Sequence, residues 1–351
     1  MRLRLFGVLV IVASCSNPSV AVPPDETTTT STATTVSTTT TSTTVSTTTT
    51  STTTTTPVTI PDAPLGLVLD ERETPVNGQT TGVLFTDTGW VVPILGRLPE
   101  GRHLVWTPCG RSQDVGGGDV VTSADFVLDP GHGGSEPGAV GPGGLREADL
   151  NLDVTRRLRD ALVDAGYSVV MTRDADVRVP IVTRAEIAHA LDPIAFLSIH
   201  FNAGTDASSE TPGTEIYHQI VNPESKRLAG LIYEEAFSTL DRYDVDWVAL
   251  GDAGTTFRPN RAGLDYYGVL RRPAPILSVL IEYAYLSNQA EEELLSDPDV
   301  QRELVASTVV AIERFLTTDD PGGGFIEDPM FRGYGPSGAG GTNNCTDPPL
   351  D

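Results

Sequence analysis

The chain has 351 residues, a formal net charge of −24, five histidines and three cysteines. This length allows one large domain or two modest ones. The acidic balance argues against a nucleic-acid partner, because binding to the phosphate backbone requires a basic surface.

The N-terminus has the pattern of a secretory signal. Two arginines precede an apolar run from Leu5 to Ala13, which is far shorter than the ~20 residues of a membrane-spanning helix. The run leads into VAS and then Cys15, which resembles the lipobox of bacterial lipoproteins, where the signal is cleaved before a cysteine that is then acylated. We therefore predict a signal peptide over 1–14 and lipidation of Cys15. The alternative is an ordinary signal peptide with an incidental cysteine.

The next segments predict a linker and then a small module. From Thr27 to Thr56 the sequence is nearly all threonine and serine, which cannot bury enough apolar surface to offset the entropy lost on ordering. Residues 15–65 are therefore predicted to be a solvated linker that tethers the protein to a membrane in the cell envelope, outside the cytoplasm. In 66–123, short apolar runs alternate with Gly, Pro, Asn and Asp, which predicts a β-rich module without assigning it a role.

From Phe126 onward, predicted strands alternate with predicted helices. Apolar residues repeat at helical spacing from Leu150 to Ala165, and Asn222-Pro223 and Asp297-Pro298 are typical of helix N-caps. The pattern predicts an α/β domain over 124–318 with a mostly parallel sheet. The Gly- and Pro-rich residues 319–351 predict a loop-like tail. The predicted strands are 126–128, 168–172, 195–199, 215–220 and 276–281, and the predicted helices are 150–165, 184–191, 223–240 and 298–316.

Two cysteines remain if Cys15 is lipidated. They are Cys109 and Cys345, an even pair in a chain predicted to leave the reducing cytosol. A disulfide between them would tie the tail to the body of the protein. The alternative is two unpaired thiols.

Residues able to bind a metal lie at the ends of predicted strands. His132 follows the first strand in a glycine-rich loop, His200 ends the strand AFLSIH and is followed by Asn202, and Glu282 ends the strand SVLIE. Ligands collect at the carboxyl ends of strands in open α/β sheets. Two imidazoles and a carboxylate are a common ligand set for catalytic zinc, and Glu147, just before the first long helix, fits the carboxylate position. Glu282 fits the further carboxylate that transfers protons.

Structural explanations compete with these assignments. Glu147 is also what the dipole favours in the first turn of a helix, and His200 has the pattern of a hydrogen-bonded core histidine. Glu282 is harder to explain in this way, because an acid on a buried strand is costly unless it is paired, bound to metal or catalytic. Asp129 is either a support for the loop of His132 or a simple turn residue. The glycines around His132 match neither the P-loop nor the dinucleotide spacing.

Seven ordered segments between Phe126 and about Leu316 resemble the zinc-dependent N-acetylmuramoyl-L-alanine amidases of the type 3 family: LDPGHGG, GLREADLNL, VVMTRD, TRAEIAHA, FLSIHFNA, GTEIYH and VLIEYAYLSN. The resemblance implies zinc ligands at His132, Glu147 and His200 and a catalytic glutamate at Glu282. It also implies a mixed, mainly parallel sheet flanked by helices. The implied reaction is hydrolysis of the amide bond between N-acetylmuramic acid and L-alanine in peptidoglycan.

Two departures from the family pattern lie beside the implied catalytic glutamate. Ala284 stands where glycine is usual and Tyr285 where phenylalanine is usual, and both changes leave every implied ligand in place. Some relatives insert a self-blocking helix before the last strand. Residues 241–272 are rich in Gly, Pro and Asp and show no sign of such a helix.

Further polar residues are candidates for binding the substrate. We expect Arg173, Arg184 and Asn202 to be substrate-binding, with the two guanidinium groups holding carboxylates of the stem peptide. Ion pairing within the domain is the alternative for the arginines. Histidines 103, 189 and 218 are expected to be structural, although His218 lies near the same rim.

Two other classes of function remain open from the sequence. One is a non-catalytic lipoprotein whose groove only holds peptidoglycan. The other is a zinc peptidase that cuts within the stem peptide.

Overall fold

A computed structural model of the chain describes residues 80–251, 253–330 and 345–351. The predicted signal peptide, Cys15, the linker and residues 66–79 of the β-rich module lie outside these residues. The described residues form thirteen strands, six α-helices and one short 3-10 helix. The strands are β1 (Val83–Phe85), β2 (Val91–Arg97), β3 (His103–Trp106), β4 (Ser112–Val115), β5 (Asp119–Val121), β6 (Phe126–Pro130), β7 (Val169–Met171), β8 (Ala195–Asn202), β9 (Ser208–Ser209), β10 (Glu215–His218), β11 (Trp247–Val248), β12 (Gly254–Thr256) and β13 (Ser278–Tyr285). The helices are α1 (Glu147–Asp164), α2 (Ile181–Leu191), α3 (Pro223–Leu240), α4 (Gly268–Arg271), α5 (Gln289–Leu295) and α6 (Pro298–Thr317), and the 3-10 helix is Pro99–Gly101.

The first five strands form an antiparallel sheet in the order β4-β3-β2-β1-β5, which confirms the strand-rich module. One set of its apolar side chains, including Leu84 and Ile94, packs with Leu350 from the C-terminus. Another set, including Val83 and Val91, joins the buried cluster that contains Ile187 of α2. The module therefore shares a buried core with the α/β part of the chain.

The second sheet has six strands in the order β12-β10-β13-β8-β6-β7. Strands β7, β6, β8 and β13 are parallel, β10 is antiparallel to β13, and β12 is parallel to β10. One cluster of buried side chains joins this sheet to α1, α3 and α6, and another joins it to α2 and α4. The predicted α/β fold with a mixed, mainly parallel sheet flanked by helices is confirmed.

Several elements differ from the predicted bounds. Helices α1 and α2 begin at Glu147 and Ile181, three residues earlier than predicted. Strands β8 and β13 continue beyond His200 and Glu282, because their ladder extends to the pairing of Tyr285 with Asn202. The short strands β9, β11 and β12 and the short helices α4 and α5 were not predicted.

The tail lacks helix and strand in its described residues, as predicted, but it is packed against the body. Phe325 forms an isolated bridge with Thr255 beside the edge of the sheet, and Met330 is buried. Cys345 forms a disulfide with Cys109. The described residues of 241–272 contain only β11, β12 and the four-residue α4. None of the helices in the described part of the chain has the length and apolar character needed to cross a membrane.

Candidate metal and catalytic site

Three side chains from different elements meet at the carboxyl end of the parallel strands. Glu147 is the first residue of α1, His200 lies near the end of β8, and His132 lies two residues beyond β6. The Glu147 carboxylate lies 3.2 Å from Nε2 of His132 and 2.9 Å from Nδ1 of His200. One ligand atom from each of the three residues lies within 4.8 Å of the others. The three residues predicted to bind a metal are therefore brought together.

The surroundings fix the ionisation of two of these groups. Burial opposes the ionisation of Glu147, but the hydrogen bonds to His132 and His200 outweigh it and hold the pKa of this carboxyl well below its usual range. Burial lowers the pKa of His200 more than Glu147 raises it, which favours the neutral imidazole. The second carboxylate oxygen of Glu147 accepts a hydrogen bond of 2.8 Å from the backbone N–H of Ala139. An ionised carboxylate and a neutral imidazole are the states in which these groups bind metal.

The donor set and its surroundings fit a zinc ion. Two imidazoles and one carboxylate are the ligands of many catalytic zinc sites, and the contacts of 2.9 and 3.2 Å approach the separation of about 3.3 Å between ligand atoms around a tetrahedral zinc. A Cβ added to Gly131 would lie 2.1 Å from the His200 ring, and one added to Gly138 would lie 2.4 Å from the Glu147 carboxylate. Only glycine allows the backbone to pass this close to the ligands.

Two buried arginines donate hydrogen bonds to the backbone carbonyls around His132. Arg184 donates hydrogen bonds of 2.7 Å to the carbonyls of Pro130 and His132 and of 2.6 Å to Asp129. Arg173 donates to the carbonyls of Pro130, at 2.9 Å, and of Gly131, at 2.8 Å. His132 itself has a φ of 60°, in the left-handed region, which is uncommon for a residue other than glycine. These carbonyl contacts stabilise the unusual backbone that presents His132.

The two arginines predicted to bind substrate carboxylates are buried beneath the loop of His132, and their role in substrate binding stays a prediction. Arg173 and Arg184 are 2 % and 3 % exposed, and their donors point to backbone carbonyls and to Asp129. Asp129 is fully buried; burial opposes its ionisation, but Arg184, Thr172 and Ser198 lower its pKa below the ordinary value. Arg184 forms an ion pair within the domain, with Asp129, as the structural alternative expected. Asp129 thus supports the loop of His132 through Arg184.

Glu282 lies beside the candidate ligands in the sheet. It pairs with His200 on β8 and with Glu215 on β10, and its side chain is half-buried. Because paired residues on neighbouring strands project to the same face, the Glu282 and His200 side chains lie next to each other. This arrangement gives the three candidate ligands an adjacent carboxylate.

A buried acid that the sequence did not indicate supports this region. Glu215 is fully buried and accepts hydrogen bonds from Asn202 and Tyr217, each at 2.8 Å, and from the hydroxyl of Tyr285 at 2.6 Å. Tyr285 stands where the family usually has phenylalanine, so this chain supplies a donor that phenylalanine lacks. The predicted substrate-binding Asn202 is half-buried at the end of β8, and its role stays a prediction.

The other histidines lie apart from this cluster. His218 is buried, and its Nδ1 lies 2.9 Å from the carbonyl of Gln219. His189 contacts the carbonyl of Arg272 at 3.0 Å, and His103 is buried on β3 of the module. In the described part of the chain, His132, Glu147 and His200 are the only cluster of three or more His, Cys, Asp or Glu side chains close enough together to hold a metal ion.

Comparisons with known proteins match the α/β part of the chain. The profile of the type 3 amidase family, described as N-acetylmuramoyl-L-alanine amidase, matches residues 126–314. N-acetylmuramoyl-L-alanine amidase AmiC of Neisseria meningitidis serogroup B is 31% identical over 222 residues, which cover 55% of this chain and 53% of AmiC. YqiI of Bacillus subtilis is 30% identical over 217 residues, which cover 61% of this chain and 93% of YqiI. The match to AmiC thus spans about half the length of that relative.

Solved structures also match part of the chain. N-acetylmuramoyl-L-alanine amidase AmiC2 of Nostoc punctiforme aligns with a TM-score of 0.46 at 30% identity, covering 54% of this chain and 96% of that one.

Proposed function

This chain belongs to the N-acetylmuramoyl-L-alanine amidase family, and we propose that it is a zinc-dependent enzyme that hydrolyses the amide bond between N-acetylmuramic acid and L-alanine in peptidoglycan. The observation that carries the proposal is the convergence of His132, Glu147 and His200, with Glu282 beside them on the next strand. This combination supplies both a metal site and a separate proton carrier.

His132, Glu147 and His200 would hold the zinc ion. When bound, zinc supplies Lewis acidity toward the amide carbonyl and toward a water molecule. Glu282 would accept a proton from the attacking water and deliver it to the nitrogen of L-alanine as the C–N bond breaks. The products are then the free lactyl carboxyl group and the free amino group of the peptide. Asn202, at the end of β8, would contact the substrate near the scissile bond.

Two other functions make different predictions for the same assay. A binding protein without activity would leave peptidoglycan intact, and a zinc peptidase would create new termini within the stem peptide. The protein lacking residues 1–56 should be incubated with purified peptidoglycan, and the products identified by mass spectrometry. Free N-terminal L-alanine on released peptides supports the amidase, and either of the other results contradicts it.

We also propose that the protein acts in the cell envelope as a lipoprotein anchored through Cys15, the residue after the predicted signal peptide. Support comes from the lipobox-like sequence and the threonine-rich segment that follows it. In the native host, Cys15→Ala should lose both labelled-lipid incorporation and recovery in the membrane fraction. A variant that keeps both would show that the anchor is elsewhere.

A further inference from the structure

The short helix α5 carries two adjacent buried glutamates, Glu291 and Glu292. They are 0% and 4% exposed. Each carboxylate accepts hydrogen bonds from two backbone N–H groups that belong to other segments of the chain. Two buried acids on one turn therefore bind two different parts of the site.

Glu292 binds the loop that leads into Glu147. Its carboxylate oxygens accept hydrogen bonds from the N–H of Gly143, at 2.5 Å, and of Leu145, at 2.8 Å. A Cβ added to Gly141 would lie 2.2 Å from the Glu292 carboxyl carbon, so the loop wraps closely around this group. Glu147 follows the loop directly as the first residue of α1. The position of Glu147 therefore depends on the carboxylate of Glu292.

Glu291 binds the end of the strand that carries Glu282. Its oxygens accept hydrogen bonds from the N–H of Tyr285, at 2.7 Å, and of Val248, at 2.8 Å. Between Glu282 and Tyr285 the ladder with β8 is irregular: three residue steps on β13 face two on β8. Such a bulge alters the direction of nearby side chains. Glu291 therefore fixes Tyr285, at the opposite end of the bulge from Glu282.

We propose that the two glutamates are positioning residues with separate tasks, Glu292 for the candidate ligand Glu147 and Glu291 for the candidate base Glu282. The inference rests on the proposed function, since it takes those roles for Glu147 and Glu282. A carboxylate suits both positions because each of its oxygens accepts a hydrogen bond. Glutamine would turn an NH₂ group toward one of the two N–H donors and lose that contact.

The test compares Glu291→Gln and Glu292→Gln with Glu293→Gln as the matched control. Glu293 lies on the same helix, is exposed to solvent and accepts a hydrogen bond of 3.0 Å from the side-chain amide of Gln289. Assays should be run at about pH 8, because burial raises the pKa of Glu291 to about 7 and the wild-type group must be ionised. Zinc affinity is measured by competition with a chelator, and kcat and KM are measured with zinc in excess.

The two variants should fail in different ways. Glu292→Gln should bind zinc about 10- to 100-fold more weakly, with kcat restored by excess zinc. Glu291→Gln should keep wild-type zinc affinity and lose about 10- to 100-fold in kcat that zinc does not restore, because the base is displaced. Glu293→Gln should match the wild type in both measurements. A general loss of stability would not lower zinc affinity in one variant and kcat in the other.

Two further variants keep the inference testable if either protein fails to fold. Gly141→Ala disturbs the Glu292 contact from the loop side and should weaken zinc binding, and Glu291→Asp keeps the charge and should lower kcat. Variants that match the control, or that lose zinc affinity and kcat together, overturn the inference while the wild type stays active. A wild-type protein with neither zinc nor amidase activity overturns the proposed function and this inference with it.

Discussion

At the scale of single residues, the proposed roles of metal ligand and proton carrier predict different effects of substitution. His132→Ala and His200→Ala should each lose zinc and activity, because two remaining ligands do not compete with water for the ion. Glu282→Gln keeps the shape of the side chain and all three ligands, so zinc should remain while kcat falls by roughly 10² to 10⁴. Zinc content and turnover of the purified variants check this.

Two results would contradict these assignments. Loss of zinc in Glu282→Gln would make Glu282 a ligand, and full turnover would make it a structural residue.

Glu186, on α2, predicts a dependence of stability on pH. Burial raises its pKa from the ordinary 4.5 to about 7, Arg272 lowers it by less, and its Oε2 has no hydrogen-bond partner among the described residues. Because the folded protein holds this proton more tightly than the unfolded chain, the stabilisation is complete below pH 4.5 and is lost as pH rises through 7. Between about pH 5 and pH 8, Glu186→Gln should lose less unfolding free energy than the wild type, by about 1–3 kcal/mol.

Denaturant titrations of both proteins at the two pH values measure this difference. Glu291 titrates in a similar range in both proteins, so its contribution cancels in the comparison. Equal pH dependence in wild type and variant would show that Glu186 is not the group responsible.

At the scale of elements, the connection from β6 to His132 depends on the buried pair of Asp129 and Arg184. Arg184→Ala leaves Asp129 as a buried charge without its cation, which should cost about 3–5 kcal/mol in the free energy of unfolding. Arg242→Ala removes an exposed ion pair with Glu303 and should cost about 1 kcal/mol or less. Denaturant titration measures the free energy of unfolding of both variants. Equal losses would mean that the buried pair of Asp129 and Arg184 does not stabilise the loop of His132.

The sequence predicted the long elements and the clustering of the candidate ligands for physical reasons. Helix α3 was predicted from its cap, and the Asn222 side chain does accept hydrogen bonds from the N–H of Glu224 and Ser225. His132 and His200 were found because parallel strands end at one edge of the sheet. The short strand β12 has only three residues, too few for a periodic pattern.

The contact partners of buried charged side chains could not be predicted from the sequence. The local sequence around an arginine, whether after a strand like Arg173 or within a helix like Arg184, is the same when the side chain points to solvent and when it points to backbone carbonyls. Both of these arginines donate to carbonyls. Glu291 and Glu292 follow a helix N-cap, where acidic residues are common and usually solvated. Their partners lie on distant segments, so only the tertiary structure shows what they bind.

At the scale of the whole molecule, the disulfide joins residues 236 positions apart. Cross-linking restricts the unfolded chain, so Cys345→Ser should lower the free energy of unfolding by roughly 2–5 kcal/mol. Calorimetry or denaturant titration measures the loss. The wild type under reducing conditions should match the variant, and a variant as stable as the oxidised wild type would contradict the prediction.

The same bond turns the chain from 109 to 345 into a closed covalent ring that contains His132, His200 and Glu282. A ring cut once opens into a line and does not separate into two molecules. One proteolytic cleavage anywhere inside the ring therefore leaves His132, Glu147, His200 and Glu282 attached to the N-terminal segment. A nicked protein would migrate as one species in a non-reducing gel and as two after reduction, and release of the catalytic part would require a second cut.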